Sequence, residues 1–343
     1  MIKWLSLPEE RNVVAYEQIS ERTGMSAFVI EKDWWMVQTL SIIFEMSMAQ
    51  HLLFKGGTSL SKAWKLINRF SEDVDLAIDR AYLGFNGELS KKQITALRKA
   101  ASAFTSGIFL EELHSRTVQK GLKDVRLNIV ETQDSDQDPR IIEVYYPNVI
   151  PLPGYLEAKV QIEIGCRSLR EPYTIRTFGS LVDEHYPDRS FAHPPILVPT
   201  VNPERTFWEK IFLLHEEFQR PQGKIRVNRL SRHLYDVVKL SLTPYFENAL
   251  KDATLYETIV EHRYKFTRIA GVNYNLHQPQ TINPLPVLEV VEAWRDDYQT
   301  MIQQMIYELN PPSFNDIIRL MTELKRRIND LPWKLKREYQ VGK

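Results

Sequence analysis

Two aspartates on one short segment are the residues of this chain best suited to bind a metal ion. Asp73 and Asp75 lie on a stretch in which polar and apolar residues alternate, the pattern of a half-buried β-strand. Because side chains alternate between the faces of a strand, both carboxylates point the same way. Two adjacent carboxylates suit one or two hard cations that hold a phosphate group. The alternative is a solvated strand face.

A glycine-rich turn precedes the aspartates in the segment Phe54-Lys-Gly-Gly-Thr-Ser-Leu-Ser61. Glycines allow a backbone to approach a phosphate closely, and the free N–H groups of such a turn can bind it. The segment is neither a P-loop nor a dinucleotide-binding fingerprint, because the spacing of glycines and lysine fits neither. A simple tight turn is the alternative. The candidate nucleotide-binding residues are Gly56, Gly57, Thr58 and Ser59.

Glu163 and Lys210, which come later in the chain, could add to this site. Glu163 lies on a predicted strand at 160–164, on the face opposite the apolar residues. It could be a third carboxylate for the metal, or equally an exposed strand residue. Lys210 lies beside the apolar stripe of a helix predicted at 203–219, where a lysine can reach a phosphate as a point charge. An ordinary flanking lysine is the alternative.

A basic run opens a later predicted helix at 229–241. From Arg220 to Arg232 there are five basic residues and no acidic one, which in a chain of zero net charge makes a candidate contact for nucleic acid or triphosphate. Solvated surface is the alternative. Arg232 and Asp236 are four residues apart and so share a helical face, where they could form a simple ion pair.

Composition indicates a folded protein with a sizeable core. The chain has 343 residues, of which 43% are hydrophobic and 26% charged. Cys166 is the only cysteine, which excludes an intrachain disulfide and a cysteine-based zinc site. No signal peptide and no apolar stretch long enough to span a bilayer is found. We therefore expect a cytoplasmic protein without membrane contact.

The pattern of the chain predicts helices, then mixed strands and helices, then helices alone. Helices are expected over 8–48, with a break at Gly24 and an N-cap at Ser26. Short strands are expected at 52–55, 73–78, 124–132, 141–145 and 160–164, and helices at 58–67 and 88–114. The proline-rich stretch 186–203 should run extended as a crossing between two lobes. Helices are expected near 203–219, 229–241, 245–262, 285–309 and 312–330.

These residues together resemble the AbiEii/AbiGii group of nucleotidyltransferase toxins (MenT-like), the toxin half of abortive-infection toxin–antitoxin pairs. The resemblance covers about residues 25–240, and its motifs occur in the family's order. They are Glu31-Lys-Asp-Trp-Trp35, Phe54-Lys-Gly-Gly-Thr-Ser-Leu60, Arg69-Phe-Ser-Glu-Asp-Val-Asp75, Arg205-Thr-Phe-Trp-Glu-Lys210 with Leu214-His215, and Ser231-Arg-His-Leu-Tyr-Asp236.

The resemblance implies an α/β (α+β) protein with the polymerase-β-like nucleotidyltransferase fold. A nucleotidyltransferase lobe with an N-terminal helical extension would occupy residues 1–190, and a helical C-terminal lobe residues 191–343. The implied reaction transfers an NMP from an NTP with Mg²⁺ or Mn²⁺. By this resemblance Asp73 and Asp75 bind metal, Lys210 contacts the triphosphate, and Asp236 is a further essential acid. Some relatives modify the tRNA acceptor end, so an RNA acceptor and a cognate antitoxin are the implied partners.

Other functions remain open at this point. The same metal and phosphate groups could serve a nucleotidyltransferase that modifies proteins, or a kinase. A non-catalytic protein that binds a partner and has kept the fold is a third possibility, which the presence of Asp73, Asp75 and Lys210 argues against.

Overall fold

The chain forms two compact units in the computed structural model, which describes residues 2–122, 124–132, 134, 137–151, 157–167 and 172–340. The first unit comprises Met1–Trp64 and Phe70–Val201. The second comprises Lys65–Arg69 and Asn202–Lys343. A short internal segment, residues 65–69, therefore belongs to the same unit as the C-terminal part of the chain.

The first unit contains all the named strands and six helices of the described residues. Its strands are β1 (Leu52–Lys55), β2 (Asp73–Ile78), β3 (Arg126–Ile129), β4 (Arg140–Tyr145), β5 (Lys159–Gly165), β6 (Tyr173–Phe178) and β7 (Ile196–Val201). Its α-helices are α1 (Glu9–Thr23), α2 (Ala27–Ile43), α3 (Gly56–Thr58), α4 (Lys91–Phe104), α5 (Leu110–Gln119) and α6 (Leu181–His185). A π-helix, Ser59–Ala63, continues directly from α3.

The strands form one mixed sheet in the order β3-β4-β5-β2-β1-β7-β6. β2 pairs with β1 antiparallel and with β5 parallel, so it lies near the centre of the sheet. Its register places Val74 opposite Ile162 and Leu76 opposite Ile164, and all four side chains are buried on one face. The alternate residues of β2 therefore lie on the other face, which includes Asp73 and Asp75.

Helix α2 is buried on almost all of its surface, and it contacts β5. Such a helix must be apolar all round or must pair its polar groups internally. The preceding helix, α1, ends at Gly24, which has a φ of 73°. The Ser26 side chain accepts a hydrogen bond from the Val29 N–H, as expected for the predicted N-cap.

Several predicted elements are confirmed, and the proline-rich stretch is the main difference. β1 and β2 have the predicted bounds, and strands are present in the other predicted regions. The stretch 186–203 was predicted to cross between lobes. Instead, residues 196–201 form β7, which pairs with β1 and β6 inside the sheet. The strand includes Pro199, which lies opposite Ile175 of β6, whereas its register with β1 consists of Phe54 opposite Thr200.

The second unit is helical in its described residues apart from an isolated β-bridge between Arg69 and Ile306. Its α-helices are α7 (Pro203–Glu217), α8 (Arg232–Ser241), α9 (Pro244–Lys251), α10 (Ala253–Phe266), α11 (Val291–Gln304) and α12 (Phe314–Asn329). Aromatic rings fill its core: Trp208 on α7 packs edge-on against Tyr256 on α10, with 4.7 Å between ring centroids.

A buried carboxylate joins three parts of the second unit. Glu216, at the end of α7, forms an ion pair with Arg263 on α10 and lies 3.1 Å from Nε2 of His277. Burial raises the pKa of Glu216, but the charge and hydrogen bonds of Arg263 outweigh it and lower the pKa from 4.5 to about 2. Glu216 is therefore ionised at neutral pH and holds α10 against α7.

The mixed α/β class with a helical C-terminal part is confirmed by these elements. No helix in the described part of the chain combines the length and the apolar character needed to cross a bilayer.

We expect Glu216→Gln to destabilise the protein by roughly 3 kcal/mol at neutral pH, because it leaves Arg263 buried without its counter-charge. A carboxylate whose pKa is lowered on folding contributes stability above its unfolded pKa, and loses it as pH falls towards the folded value. The difference between wild type and variant should therefore shrink below pH 4.5. Urea unfolding at several pH values measures this, with the exposed Glu323→Gln as control. A constant difference between pH 7 and 3 would contradict the assignment.

Candidate active site

The glycine turn brings the chain into direct contact with Asp75. β1 ends at Lys55, which pairs with Asp75 across the antiparallel ladder. The next residue, Gly56, has a φ of 77°, which side-chain-bearing residues rarely adopt. A Cβ built on Gly56 would lie 1.8 Å from Oδ2 of Asp75. Only glycine therefore lets the carboxylate lie against the backbone of the turn.

The hydroxyl groups of the turn are used to fasten it. Thr58 donates a hydrogen bond to the backbone carbonyl of Asp73, which ties the turn to the start of β2. Ser59 donates to the carbonyl of Gly56 at 2.9 Å. Both side chains are buried, with 1% and 0% exposure. The structure thus assigns these hydroxyls an internal role, and their contact with a nucleotide stays a prediction.

Three predicted metal ligands share one face of the sheet. Asp75 is directly opposite Glu163 on the parallel neighbour β5, and Asp73 is opposite Gln161. The three carboxylates are half-buried. Glu163 accepts a hydrogen bond of 2.9 Å from the Gln161 side chain. In the described parts of the chain, no group of three or more His, Cys, Asp or Glu side chains is arranged to hold a metal ion.

Asp73 and Asp75 have the donor chemistry that a divalent cation requires, since hard cations prefer carboxylate oxygens. A Cβ at Gly56 would occupy the position of the Asp75 carboxylate, so the glycine is what allows this carboxylate to lie beside the turn. The pair therefore fits a metal ion bound next to the turn. The part of Glu163 as a third ligand stays a prediction.

Helix α2 braces the segment that leads into β2. Lys32 forms a 2.9 Å ion pair with Glu72, the residue before Asp73, and both side chains are largely buried. Asp33 forms a 2.8 Å ion pair with Lys62 on the π-helix and accepts a 2.6 Å hydrogen bond from the Leu181 N–H. These pairs fix both sides of the segment between the turn and the aspartates.

The other residues of the Glu31–Trp35 motif serve packing. The Glu31 carboxylate accepts hydrogen bonds from the N–H groups of Val149 and Ile150 at 2.8 and 3.2 Å. Burial raises the pKa of Glu31 to about 7. Trp34 and Trp35 are buried core residues. Three charged residues on an otherwise apolar helix are a signal of buried pairing, but the local pattern does not show which partners Glu31, Lys32 and Asp33 bind.

Lys210 and Asp236 meet in the second unit, where they form a buried ion pair of 2.8 Å. Arg69 binds the same carboxylate with two hydrogen bonds, 2.7 Å from Nε to Oδ1 and 2.8 Å from Nη2 to Oδ2. Burial raises the pKa of Asp236, but Arg69 and Lys210 outweigh it and lower the pKa well below its usual range. Asp236 is therefore a buried anion held between two cations.

Lys210 also lies beside a histidine, and its pKa is lower than usual. Its Nζ lies 3.3 Å from Nδ1 of His233, on the first turn of α8. Burial lowers the pKa of Lys210, as does the charge of Arg69, while Asp236 raises it. Burial also lowers the pKa of His233, and Lys210 and Arg232 add to this effect. Arg232 is thus close enough to act electrostatically on Lys210 and His233.

The predicted basic run is partly neutralised within the unit. Arg220 and Arg226 both form ion pairs with the buried Glu217, at 3.0 and 2.7 Å. Lys224 and Arg229 are exposed. A contact of this run with nucleic acid or triphosphate stays a prediction.

Arg69 is the main partner of Asp236 that the sequence did not indicate. It was noted only as the first residue of a motif. A buried carboxylate flanked by two cations requires contact between positions 167 residues apart, and spacing along one helix could not reveal it.

We expect Gly56→Ala to abolish nucleotide transfer, because the added Cβ would displace the Asp75 carboxylate. Gly24→Ala is the matched control: Gly24 has a similar φ of 73° but nothing within 4 Å of a built Cβ. Backbone strain should lower the free energy of unfolding of both variants by about 1–2 kcal/mol, which urea unfolding measures. Only Gly56→Ala should lose activity in a transfer assay, and equal activity of the two would contradict this geometry.

Comparison with known proteins identifies the family of the chain. The family model described as "Nucleotidyl transferase AbiEii toxin, Type IV TA system" matches residues 40–320. No curated protein matches. Among solved structures, MenT4, a nucleotidyltransferase toxin from Mycobacterium tuberculosis H37Rv, is 17% identical with a TM-score of 0.43, over 92% of this chain and 98% of that one. JHP933 from Helicobacter pylori is 12% identical with a TM-score of 0.44, over 88% and 91%. Since the family model covers most of the sequence, the chain belongs to the AbiEii family of nucleotidyltransferase toxins of type IV toxin–antitoxin systems.

Proposed function

We propose that this protein is a cytoplasmic toxin that transfers an NMP from an NTP to a hydroxyl of an RNA acceptor, the 3′ end of tRNA. The acceptor oxygen would attack the α-phosphorus in line, lose its proton, and release pyrophosphate. The observation that carries the proposal is the close approach of Asp75 to Gly56 in a chain of this family. This approach places a turn of the kind that binds phosphate beside a carboxylate that could bind a metal ion.

Asp73 and Asp75 are the residues we propose to hold Mg²⁺ or Mn²⁺, with Glu163 as a further carboxylate. A bound divalent cation would polarise the phosphate oxygens and offset the negative charge that develops on transfer. The backbone N–H groups of Gly56 and Gly57 would steady the triphosphate oxygens. Thr58 and Ser59 would support this contact by holding the turn on β2, as their internal hydrogen bonds suggest.

Lys210 is the residue we propose to contact the triphosphate, with Arg232 adding positive charge. An ammonium group has three N–H donors, and the described partners of Lys210 are Asp236 and His233. A further donor is thus available for a phosphate oxygen. Asp236 would be essential as a positioning residue, because it is buried and binds Lys210 and Arg69 rather than facing solvent.

The choice of substrate can be tested with labelled nucleotides. The purified protein is incubated with total RNA, Mg²⁺ and each of the four NTPs, labelled in turn at the α- or the γ-phosphate. The proposal expects α-label in a tRNA-sized RNA, removed by omission of metal. Label from the γ-phosphate alone would indicate a kinase, and α-label on protein would indicate a protein acceptor. Failure to bind any NTP with Mg²⁺ would indicate a non-catalytic protein.

We expect Asp73→Asn and Asp75→Asn each to abolish transfer and growth inhibition while leaving the fold intact. Removing one of two neighbouring like charges relieves repulsion, so stability should stay equal or rise slightly. The control is Asp79→Asn, just beyond the end of β2, which should keep full activity. Transfer rates at saturating Mg²⁺ and thermal unfolding measure both effects. Wild-type activity in either site variant would contradict the metal assignment.

We expect Lys210→Ala to lower kcat/KM for the NTP about ten- to a hundredfold, the loss typical of one charged hydrogen bond. Because the change also leaves Asp236 without one of its cations, thermal unfolding must be measured beside the kinetics. Lys91→Ala and Lys92→Ala on the exposed start of α4 are the controls. An unchanged kcat/KM in a folded Lys210→Ala protein would make Lys210 a structural residue only.

A further inference from the structure

His233 lies beside Lys210, the residue proposed to contact the triphosphate. It stands on the first turn of α8, and its side chain is half-buried. Its Nδ1 is 3.3 Å from Nζ of Lys210, and this is the one hydrogen bond that the side chain forms with the described residues. The ring thus meets Lys210 through one nitrogen, and its second nitrogen, Nε2, is left for another contact.

The contact with Lys210 decides which ring nitrogen of His233 carries the proton. Lys210 forms an ion pair with Asp236 at 2.8 Å, so its Nζ is an ammonium group, which can only donate. Nδ1 of the ring therefore accepts. Burial and the charge of Lys210 hold the pKa of His233 well below its usual value, so the ring is neutral at neutral pH. A neutral imidazole has a single N–H, which here belongs to Nε2.

The N–H at Nε2 of His233 is open to solvent. This nitrogen has no hydrogen-bond partner in the described part of the chain, yet it does not belong to the enclosed polar atoms that lack one. Solvent therefore reaches it. Water can satisfy the N–H in the free protein, and a ligand oxygen that takes the place of the water restores the same hydrogen bond.

The charges around His233 favour an anionic acceptor. The charged side chains that act most on its ring are three cations, Lys210, Arg232 and Arg69, and one carboxylate, Asp236. Lys210 and Arg69 are buried, and charges attract an anion more strongly away from bulk water. An oxygen of a phosphate group is an acceptor of this kind, and its hydrogen bonds to N–H donors are among the stronger ones in proteins.

We propose that His233 is a further nucleotide-binding residue, whose Nε2–H donates to a triphosphate oxygen of the NTP beside Lys210. One imidazole ring and one hydrogen bond separate this N–H from the ammonium group, so both donors can bind oxygens of the same phosphate group or of two adjacent ones. Lys210 then contacts phosphate and also holds the histidine in the tautomer that donates. The inference rests on the proposed function in taking the triphosphate as the anion at Lys210.

Two substitutions separate a contact with substrate from a role in holding Lys210. His233→Asn keeps an acceptor near the place of Nδ1 and removes the outer N–H, whereas His233→Gln reaches further and keeps an amide N–H near the place of Nε2. We expect His233→Asn to weaken binding of the triphosphate about tenfold, and His233→Gln to bind nearly as wild type does. His114→Asn, at an exposed position of α5, is the matched control and should leave binding unchanged.

The probe for the test is inorganic tripolyphosphate with Mg²⁺, which carries the phosphate groups of an NTP without its base and ribose. Calorimetric titration of the full-length protein at neutral pH gives its Kd, and thermal unfolding checks the fold of each variant. The Kd of tRNA is measured beside it, since RNA also presents phosphate oxygens, and it should be equal in wild type and His233→Asn. Proton–nitrogen NMR spectra of histidine-labelled protein should show the ring proton on Nε2, with a shift on addition of tripolyphosphate.

The proposal is wrong if His233→Asn binds tripolyphosphate as wild type does, if His233→Gln binds it as weakly as His233→Asn, or if the ring proton is on Nδ1. It is also wrong if His233→Asn weakens the binding of tRNA alone, because the phosphate would then belong to the acceptor. Transfer of α-label by a wild-type protein that does not bind tripolyphosphate would contradict the inference and leave the proposed function standing. The expected order of the variants without any transfer of label would support the phosphate contact and contradict the proposed function.

Discussion

The contact between the Asp75 carboxylate and the backbone of Gly56 is the constraint on which the candidate active site depends. Because the carboxylate occupies the place where a Cβ of residue 56 would lie, only glycine fits at that position. It also requires that β1 and β2 pair in one register, since a slip of one residue would turn Asp75 to the apolar face. The apolar residues of β2 therefore fix the site as much as the aspartates do.

Most of the charged residues in the family motifs bind one another rather than facing solvent. Lys32 pairs with Glu72, Asp33 with Lys62, and Asp236 with both Arg69 and Lys210. Buried ion pairs add little net stability compared with apolar packing, because desolvation offsets the attraction. Their effect is on geometry, since a buried charge without its partner is costly. The motifs thus include the residues that position the site as well as those proposed to act on substrate.

Local patterns predicted the centre of the sheet well. The alternation from Asp73 to Ile78 and the apolar run before Gly56 gave both strands their observed bounds. Ser26 was predicted as a cap from its position alone, because capping is a local interaction. β6 was missed and β7 was taken for a linker, since Pro199 and its neighbours argue against a strand. Residues 196–201 form a strand because they pair with β1 and β6, and such long-range contacts are not visible in a local pattern.

The same distinction between local and long-range contacts separates the predicted site residues from the missed one. Lys210 and Asp236 could be chosen from helical patterns and family motifs, but Arg69 binds Asp236 across 167 residues. Arg69 precedes Asp73 by four positions in the sequence, although the two residues belong to different units. Because Arg69 and Lys210 bind the same carboxylate, the motif that contains the proposed metal ligands also supplies a residue that positions Lys210. That link is a physical reason for Arg69 to stand in one motif with Asp73 and Asp75.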